Sequence, residues 1–194
     1  MHRVYESSSL IVLLLSLLVV TQSLAGPVPA DRMSVYFSRE HGGLEEMLVS
    51  LYGDVQKTGY LWVVTPSLTQ PAIAKALIDA RRRGVDVRLI ADKEKLETKR
   101  DEIAMYNLKL QGIPIKVNSY PGAMRLEVSI VDDKWLVVGS YNYGSVETRT
   151  PLGTRVDEEN LLVIPARLDK QILQQYKHAF ERMCNDQNSY QPLK

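Results

Sequence analysis

The residues of this chain whose types could bind or transform a ligand gather in one stretch, Met124 to Asn142, MRLEVSIVDDKWLVVGSYN. Arg125 carries a planar guanidinium whose fork of donors matches phosphate oxygens. Glu127 and Asp132 supply carboxylates, and Ser140 and Asn142 follow Gly139 with a hydroxyl and an amide. Small polar groups at the carboxyl end of an apolar strand stand where open α/β sheets seat their ligands. Elsewhere the chemistry is sparse. His41, His178 and Cys184 form no Ser-His-Asp or Cys-His constellation and no zinc-like spacing, so neither a metal nor a cofactor is expected. His41, in the loop Glu40-His41-Gly42-Gly43, reads as a surface residue, with a substitute nucleophile as the alternative. Cys184 reads as a partly buried thiol near a helix end, with an intermolecular bridge as the minority reading.

The stretch predicts two short strands and a tight turn. Leu126, Val128 and Ile130 alternate with Arg125, Glu127 and Ser129, which gives one apolar and one polar face. Asp132-Asp133-Lys134 makes the turn, and Trp135 to Val138 is a buried strand. Arg125 and Glu127 share a strand face. They are expected to pair with each other, or with their copies across a dimer axis.

Anchored on Gly139, Ser140 and Asn142, the stretch resembles the signature of the phospholipase D superfamily, H-x-K-x4-D-x6-G-S-x-N. Asp132 falls on the signature's Asp. Arg125 stands in place of its His and Glu127 in place of its Lys. In that family the His attacks phosphorus, the Lys binds the phosphate and a carboxylate orients the His. The resemblance implies that Ser140 and Asn142 help hold phosphate, and it adds Glu159 to the site. On the residues themselves, Ser140 and Asn142 could equally stabilise the strand-end turn, and Asp132 could be a hairpin turn residue. A guanidinium stays protonated and has no lone pair to attack phosphorus. A carboxylate at position 127 repels a diester. The frame is kept and the two reactive side chains are not, so a catalytically degenerate protein is expected.

The rest of the chain must position this stretch. Helical spacing at Leu44, Met47, Leu48, Leu51 and Val55 is followed by an apolar strand, Tyr60 to Val64. A helix opens at Pro71 and closes on Arg81-Arg82-Arg83 and Gly84, cations suiting the dipole and glycine the cap. That run reads as a solvated helix end ahead of a nucleic-acid contact. Val85 to Ala91 is a strand. Ile103 and Leu110 are expected to face inward from the next helix. Ile113 to Val117 is a strand near an edge, because of Pro114. Val146 to Val156 is expected to be a mobile loop, Asn160 to Ile164 a strand, and Leu168 to Met183 a helix with one apolar side. Asn185 to Lys194 is a frayed polar tail. This alternation gives an α/β sandwich with a central mixed sheet flanked by helices. ARRRGVDVRLIAD (80–92), Gln111 to Pro114 and Glu159 to Ile164 are similar to segments of small exported bacterial phospholipase D-like nucleases, over nearly all of residues 33–184. In those relatives two single-motif chains pair, which implies a homodimer across the motif.

The first 25 residues read as a secretory signal peptide: His2 and Arg3, an apolar run from Leu10 to Val20, and Ser23-Leu24-Ala25 before Gly26. An uncleaved anchor is the competing reading. Residues 26–32, with Pro27 and Pro29, are a linker, 33–184 the domain and 185–194 the tail. Export to a bacterial periplasm is expected. The 194 residues carry a formal net charge of +1, below the basic excess of a dedicated non-specific DNA binder. Nucleic acid is nevertheless the first expected ligand, through the resemblance, ahead of phospholipid. A part in a conjugation or secretion assembly is a further expectation, as is regulation of an intact paralogue.

Overall fold

The computed structural model describes residue 28 and residues 31–41, 43–144, 147–150 and 153–194, with the backbone alone described for 147–150 and 153–156. The expected leader, residues 1–25, and most of the linker lie outside the described residues. One sheet holds eight strands in the order β1-β9-β6-β5-β2-β3-β4-β10. Their ranges are β1 (Ser34–Phe37), β2 (Tyr60–Val64), β3 (Asp86–Ala91), β4 (Ile115–Asn118), β5 (Val128–Val131), β6 (Trp135–Gly139), β9 (Asn160–Pro165) and β10 (Tyr190–Pro192). β2, β3 and β4 run parallel, and every other neighbour pair is antiparallel. The sheet is mixed, as expected.

Helices α2 (Leu44–Gly53), α3 (Pro71–Arg82) and α4 (Lys99–Leu110) cover one face. Leu48, Leu51, Ile73, Leu77, Met105 and Leu108 pack there against Leu61, Val63, Val87, Leu89, Val137 and Val163. Helix α5 (Lys170–Asn185) covers the other face with Leu173, Phe180 and Met183 against Trp62, Val64, Ile130, Leu136 and Ile164. Alternate residues of each strand feed the two layers, which is why the central strands read as unbroken apolar runs. The helix ends follow local chemistry. Pro71 opens α3 and Gly84 follows it at φ 92°. The Asp169 carboxylate accepts from the Gln171 and Ile172 N–H groups at 2.9 and 3.1 Å, capping α5.

Several expectations are corrected. Ile103 and Leu110 point outward, 51 % and 79 % exposed, while Met105 and Leu108 point in. The rotation is set by Asp101, which is buried and accepts from the hydroxyls of Ser67 and Thr98. Leu168 lies exposed in the turn before α5. β4 lies one strand in from the edge, as expected, and the expected frayed tail supplies the edge strand β10 beside it, with Tyr190 buried. Pro114 precedes β4, and its carbonyl accepts from Leu89. The expected 146–156 loop contains an antiparallel hairpin, β7 (Glu147–Thr150) with β8 (Gly153–Val156). His41 ends a one-turn helix, α1 (Ser38–His41), instead of lying in a loop.

Phe180 stacks on Trp62 with ring centroids 5.0 Å apart and planes 14° from parallel, fastening α5 to β2. Replacing Phe180 with Ala should cost about 3–5 kcal/mol, the range for deleting a buried aromatic. Urea unfolding at constant slope would measure it, and a loss under about 1 kcal/mol would show that α5 is held elsewhere.

Candidate functional site

The β5–β6 hairpin lies in the middle of the sheet, with β2 on one flank and β9 on the other. Registers of Val64 with Val128, Val128 with Val138 and Gly139 with Leu161 bring one set of strand ends together. Thr65, Glu127, Ser140 and Glu159 stand at that end. β1 finishes there as well, since the Ser38 N–H donates to the Glu159 carbonyl at 2.8 Å. Gly139 permits the close approach of β6 to β9, because a Cβ on it would lie 2.2 Å from the Asn160 carbonyl oxygen.

Glu127 is 7 % exposed. Its Oε2 is buried without a hydrogen-bond partner. Burial pushes the carboxyl up to about 9; the Thr65 hydroxyl beside it opposes this weakly and the charge of Glu159 adds to it. Glu127 is therefore protonated at neutral pH. Beneath it, the hydroxyl of fully buried Ser129 lies between Tyr52 at 2.5 Å and Tyr143 at 2.9 Å. Burial raises the ionisation of both tyrosines, so this cluster is neutral as well.

Arg125 is exposed, two residues from buried Glu127, and no ion pair joins them among the described residues. The expected shared face fails because residues 123–127 are outside the strand, which begins at Val128. Met124 is anchored instead, its N–H donating to Asp92 at 3.1 Å. The polar face of the expected strand is also not a solvent face. Glu127 and Ser129 point into the layer that holds α2.

Ser140 and Asn142 both bond to the backbone of the turn. The Ser140 hydroxyl accepts from the Asn160 N–H at 3.2 Å, and Asn142 Oδ1 accepts from the Gly144 N–H at 2.7 Å. Ser140 remains exposed and keeps its own hydroxyl proton to donate. Asp132 is not brought to this end. It sits in the opposite turn of the hairpin at φ 55°, about 17 Å of extended chain from Glu127. Its Oδ1 accepts from the Tyr60 N–H at 3.2 Å, and Gly59 leaves room for the carboxylate. The site thus gathers Glu127, Ser140, Asn142 and Glu159, with Arg125 exposed beside them and Asp132 holding the far turn.

Thr65 and Ser67 were not legible as site residues. Thr65 donates to the Ser67 carbonyl at 2.7 Å, and Ser67 ties to Asp101 of α4. Thr69 and Gln70 donate to the Tyr143 carbonyl at 3.0 and 3.1 Å, locking the β2–α3 loop to the motif strand end. His41 is committed elsewhere. Its Nδ1 accepts from the Phe37 N–H at 3.1 Å, and its ring lies against Tyr36 and Phe37. That bond leaves the proton on Nε2, so neither nitrogen offers a free lone pair. Arg82 and Arg83 donate to Gln111 and to the Tyr52 carbonyl, which fits a structural helix end. Among the described residues no group of three or more His, Cys, Asp or Glu could hold a metal ion.

The mixed sheet, its helical layers and the Gly-Ser-x-Asn strand end are those of a phospholipase D-like domain. The chain belongs to the family described as "Cardiolipin synthase, PLD-like domain", whose model matches residues 56–184. It is similar to the phospholipase D of Rickettsia bellii, 30% identical over 97 residues that make up 50% of this chain and 44% of that protein. The chain spans about half the length of such rickettsial relatives. It is also similar to the mitochondrial cardiolipin hydrolase of Xenopus laevis, 26% identical across 81% of this chain and 69% of that one. Among solved structures, Nuc, a phospholipase D family member from Salmonella typhimurium, superposes with a TM-score of 0.64 at 25% identity, covering 84% and 98% of the two chains. NucT from Helicobacter pylori superposes at 0.62 and 20% identity, over 79% and 95%, a likeness of fold.

The Glu127 carboxyl gives a direct test. A folded-state pKa near 9 against 4.5 when unfolded means the folded chain holds one extra proton between those values. Its stability should therefore fall as pH rises through that window, by at most about 1.4 kcal/mol per unit, and be flat on either side. Glu127→Gln removes the titration. Relative to wild type, the variant should gain about 4 kcal/mol on going from pH 5 to pH 8 in chemical unfolding. A difference that does not change with pH would place a charged Glu127 in the folded protein.

Proposed function

We propose that this chain is an exported phospholipase D-like protein of the bacterial nuclease type that has lost phosphodiester transfer and serves by binding phosphate or nucleic acid, or within an assembly. The observation that carries the reading is Glu127. Where the signature places a cation against the diester, this chain has a buried, protonated carboxyl. Arg125, at the position of the nucleophile, can grip a phosphate but cannot attack one. The commitment of His41 to the Phe37 N–H weakens the alternative of an active enzyme with a substitute nucleophile. Ser140, Asn142 and exposed Arg125 are the groups left to hold a phosphate. Nucleic acid is kept ahead of phospholipid as the ligand through the sequence resemblance to small exported bacterial nucleases, although the family model and the curated relatives carry phospholipid names. Export to a periplasm and pairing of two copies motif to motif complete the proposal, with the pairing of this chain to an intact paralogue as its variant form.

The deciding experiment is a nuclease assay without added metal on the mature chain and on its Arg125→His, Glu127→Lys double variant. The mature chain should leave a fluorescent DNA duplex and a single strand uncut, at least 1,000-fold below the double variant if the scaffold still seats substrate, on the order of what one catalytic group is worth. Cutting by the unaltered chain that disappears in His41→Ala would overturn the proposal.

A further inference from the structure

Helix α4 carries apolar residues on two sides. Met105 and Leu108 face the core, while Ile103, Tyr106 and Leu110 face outward, 51 %, 38 % and 79 % exposed. Steps of three and four residues set those three in one stripe along the helix. A surface helix ordinarily turns a polar side to water, so an outward apolar stripe calls for cover. Beside the stripe runs a groove of about 490 Å³ between α3 and α4, lined by Leu68, Ala74, Ile78, Ile103 and Leu108. Ile103 belongs to both, which makes stripe and groove one apolar surface.

Cations border this surface. Lys75 and Arg82 stand on the α3 side of the groove and Arg100 on the α4 side. Lys99 opens α4 and Lys109 lies in its last turn, with Nζ 5.5 Å from the centre of the Tyr106 ring. Carboxylates are fewer. Asp79 is bonded to Lys75, and Glu102 is the exposed acid of α4, since Asp101 is buried. Arg82 donates to the neutral Gln111 side chain, which leaves its charge unanswered. Among the described residues no ion pair holds Arg100. The border therefore keeps a net positive charge, with Arg82, Lys99, Arg100 and Lys109 set against Glu102.

Stripe and border together select the occupant. A second copy of the chain would set cations against cations. A nucleic-acid backbone would answer the arginines and leave Ile103 and Leu110 without an apolar partner. An anionic lipid surface answers both: its acyl region takes the stripe, and the long Lys and Arg side chains reach back to the headgroup phosphates. We infer that the outer face of α4, with the α3–α4 groove, docks this domain on a membrane surface that carries anionic lipid. α4 has 12 residues, and among the described residues no helix is long and apolar enough to cross a membrane, so the helix lies on the surface and does not span it. The contact uses none of Arg125, Ser140 and Asn142, and it goes beyond the function proposed for the strand ends.

Vesicle sedimentation tests it, with the chain from Gly26, which holds every described residue and leaves the apolar leader out of the measurement. The vesicles are phosphatidylcholine alone, or phosphatidylcholine with about 30 % phosphatidylglycerol, in about 0.1 M salt. Binding to the anionic vesicles should be about 10-fold tighter or more, and should weaken as salt rises. Ile103→Asp with Leu110→Asp should lower it about 10-fold. Arg100→Gln with Lys109→Gln should do the same and flatten the salt dependence. Leu168→Asp, at a residue 46 % exposed in the turn before α5, should bind like the unaltered chain. Urea midpoints of the variants, all at surface positions, check that each remains folded. Equal binding to neutral and anionic vesicles would overturn the inference. So would a folded α4 pair that binds like the unaltered chain, or a Leu168→Asp loss as large as that of the α4 pairs. No binding to either vesicle would overturn it as well, and would turn attention to an acidic, apolar segment of another protein. None of these outcomes bears on the nuclease assay, so the two readings can fail independently.

Discussion

The structure depends on the placement of the β5–β6 hairpin in the centre of the sheet. Its strands are paired on both flanks and covered on both faces, so every residue from Glu127 to Val131 is interior whatever its polarity. Ser129 meets that constraint with two tyrosine hydroxyls from α2 and from the segment after β6. Glu127 meets it by holding a proton, which costs less than an unpaired buried charge. The layer on the α2 side is thus built around a neutral polar seam, directly under the strand ends where a ligand would sit.

This arrangement separates two properties that a motif joins on paper. The glycine, serine and asparagine of the strand end are architecture: they allow β6 and β9 to close, and they bond the turn. Asp132 is architecture as well, at the far end. The chemistry rests on what projects from positions 125 and 127, and there the chain offers one solvent-facing guanidinium and one enclosed acid.

Much of this was legible in the sequence. The strand at Tyr60–Val64, the helix between Pro71 and Gly84, the hairpin and the sandwich follow from periodicity and from proline and glycine punctuation. The frame of the site was legible from its spacing, and so was the presence of Arg125 and Glu127 where the signature has its His and Lys. What could not be read was orientation. In α4, Ile103 and Leu110, seven apart, suit one helical face as well as Met105 and Leu108, three apart, suit another, and a carboxylate chooses between them by binding Ser67, far away in sequence. The alternation from Arg125 to Ser129 suggested one wet face because periodicity reports the pattern of a strand and not the number of layers packed on it. The role of Asn185–Lys194 was hidden because its residues are polar and its strand is short. It is defined by β4, an unpaired neighbour that the sequence does not display.

The carboxyl-terminal segment therefore has a weight out of proportion to its length. Lys116 of β4 donates to the Cys184 and Tyr190 carbonyls, and Ser119 N–H donates to Ser189, so the last residues clasp the end of α5 and the side of the sheet at once. A chain shortened before Tyr190, or one whose terminus is drawn away by a bulky fusion, would bare the whole length of β4 and loosen α5 on its face of the sheet. Proteolytic trimming of β10 would be felt first as precipitation, through the exposed margin of β4.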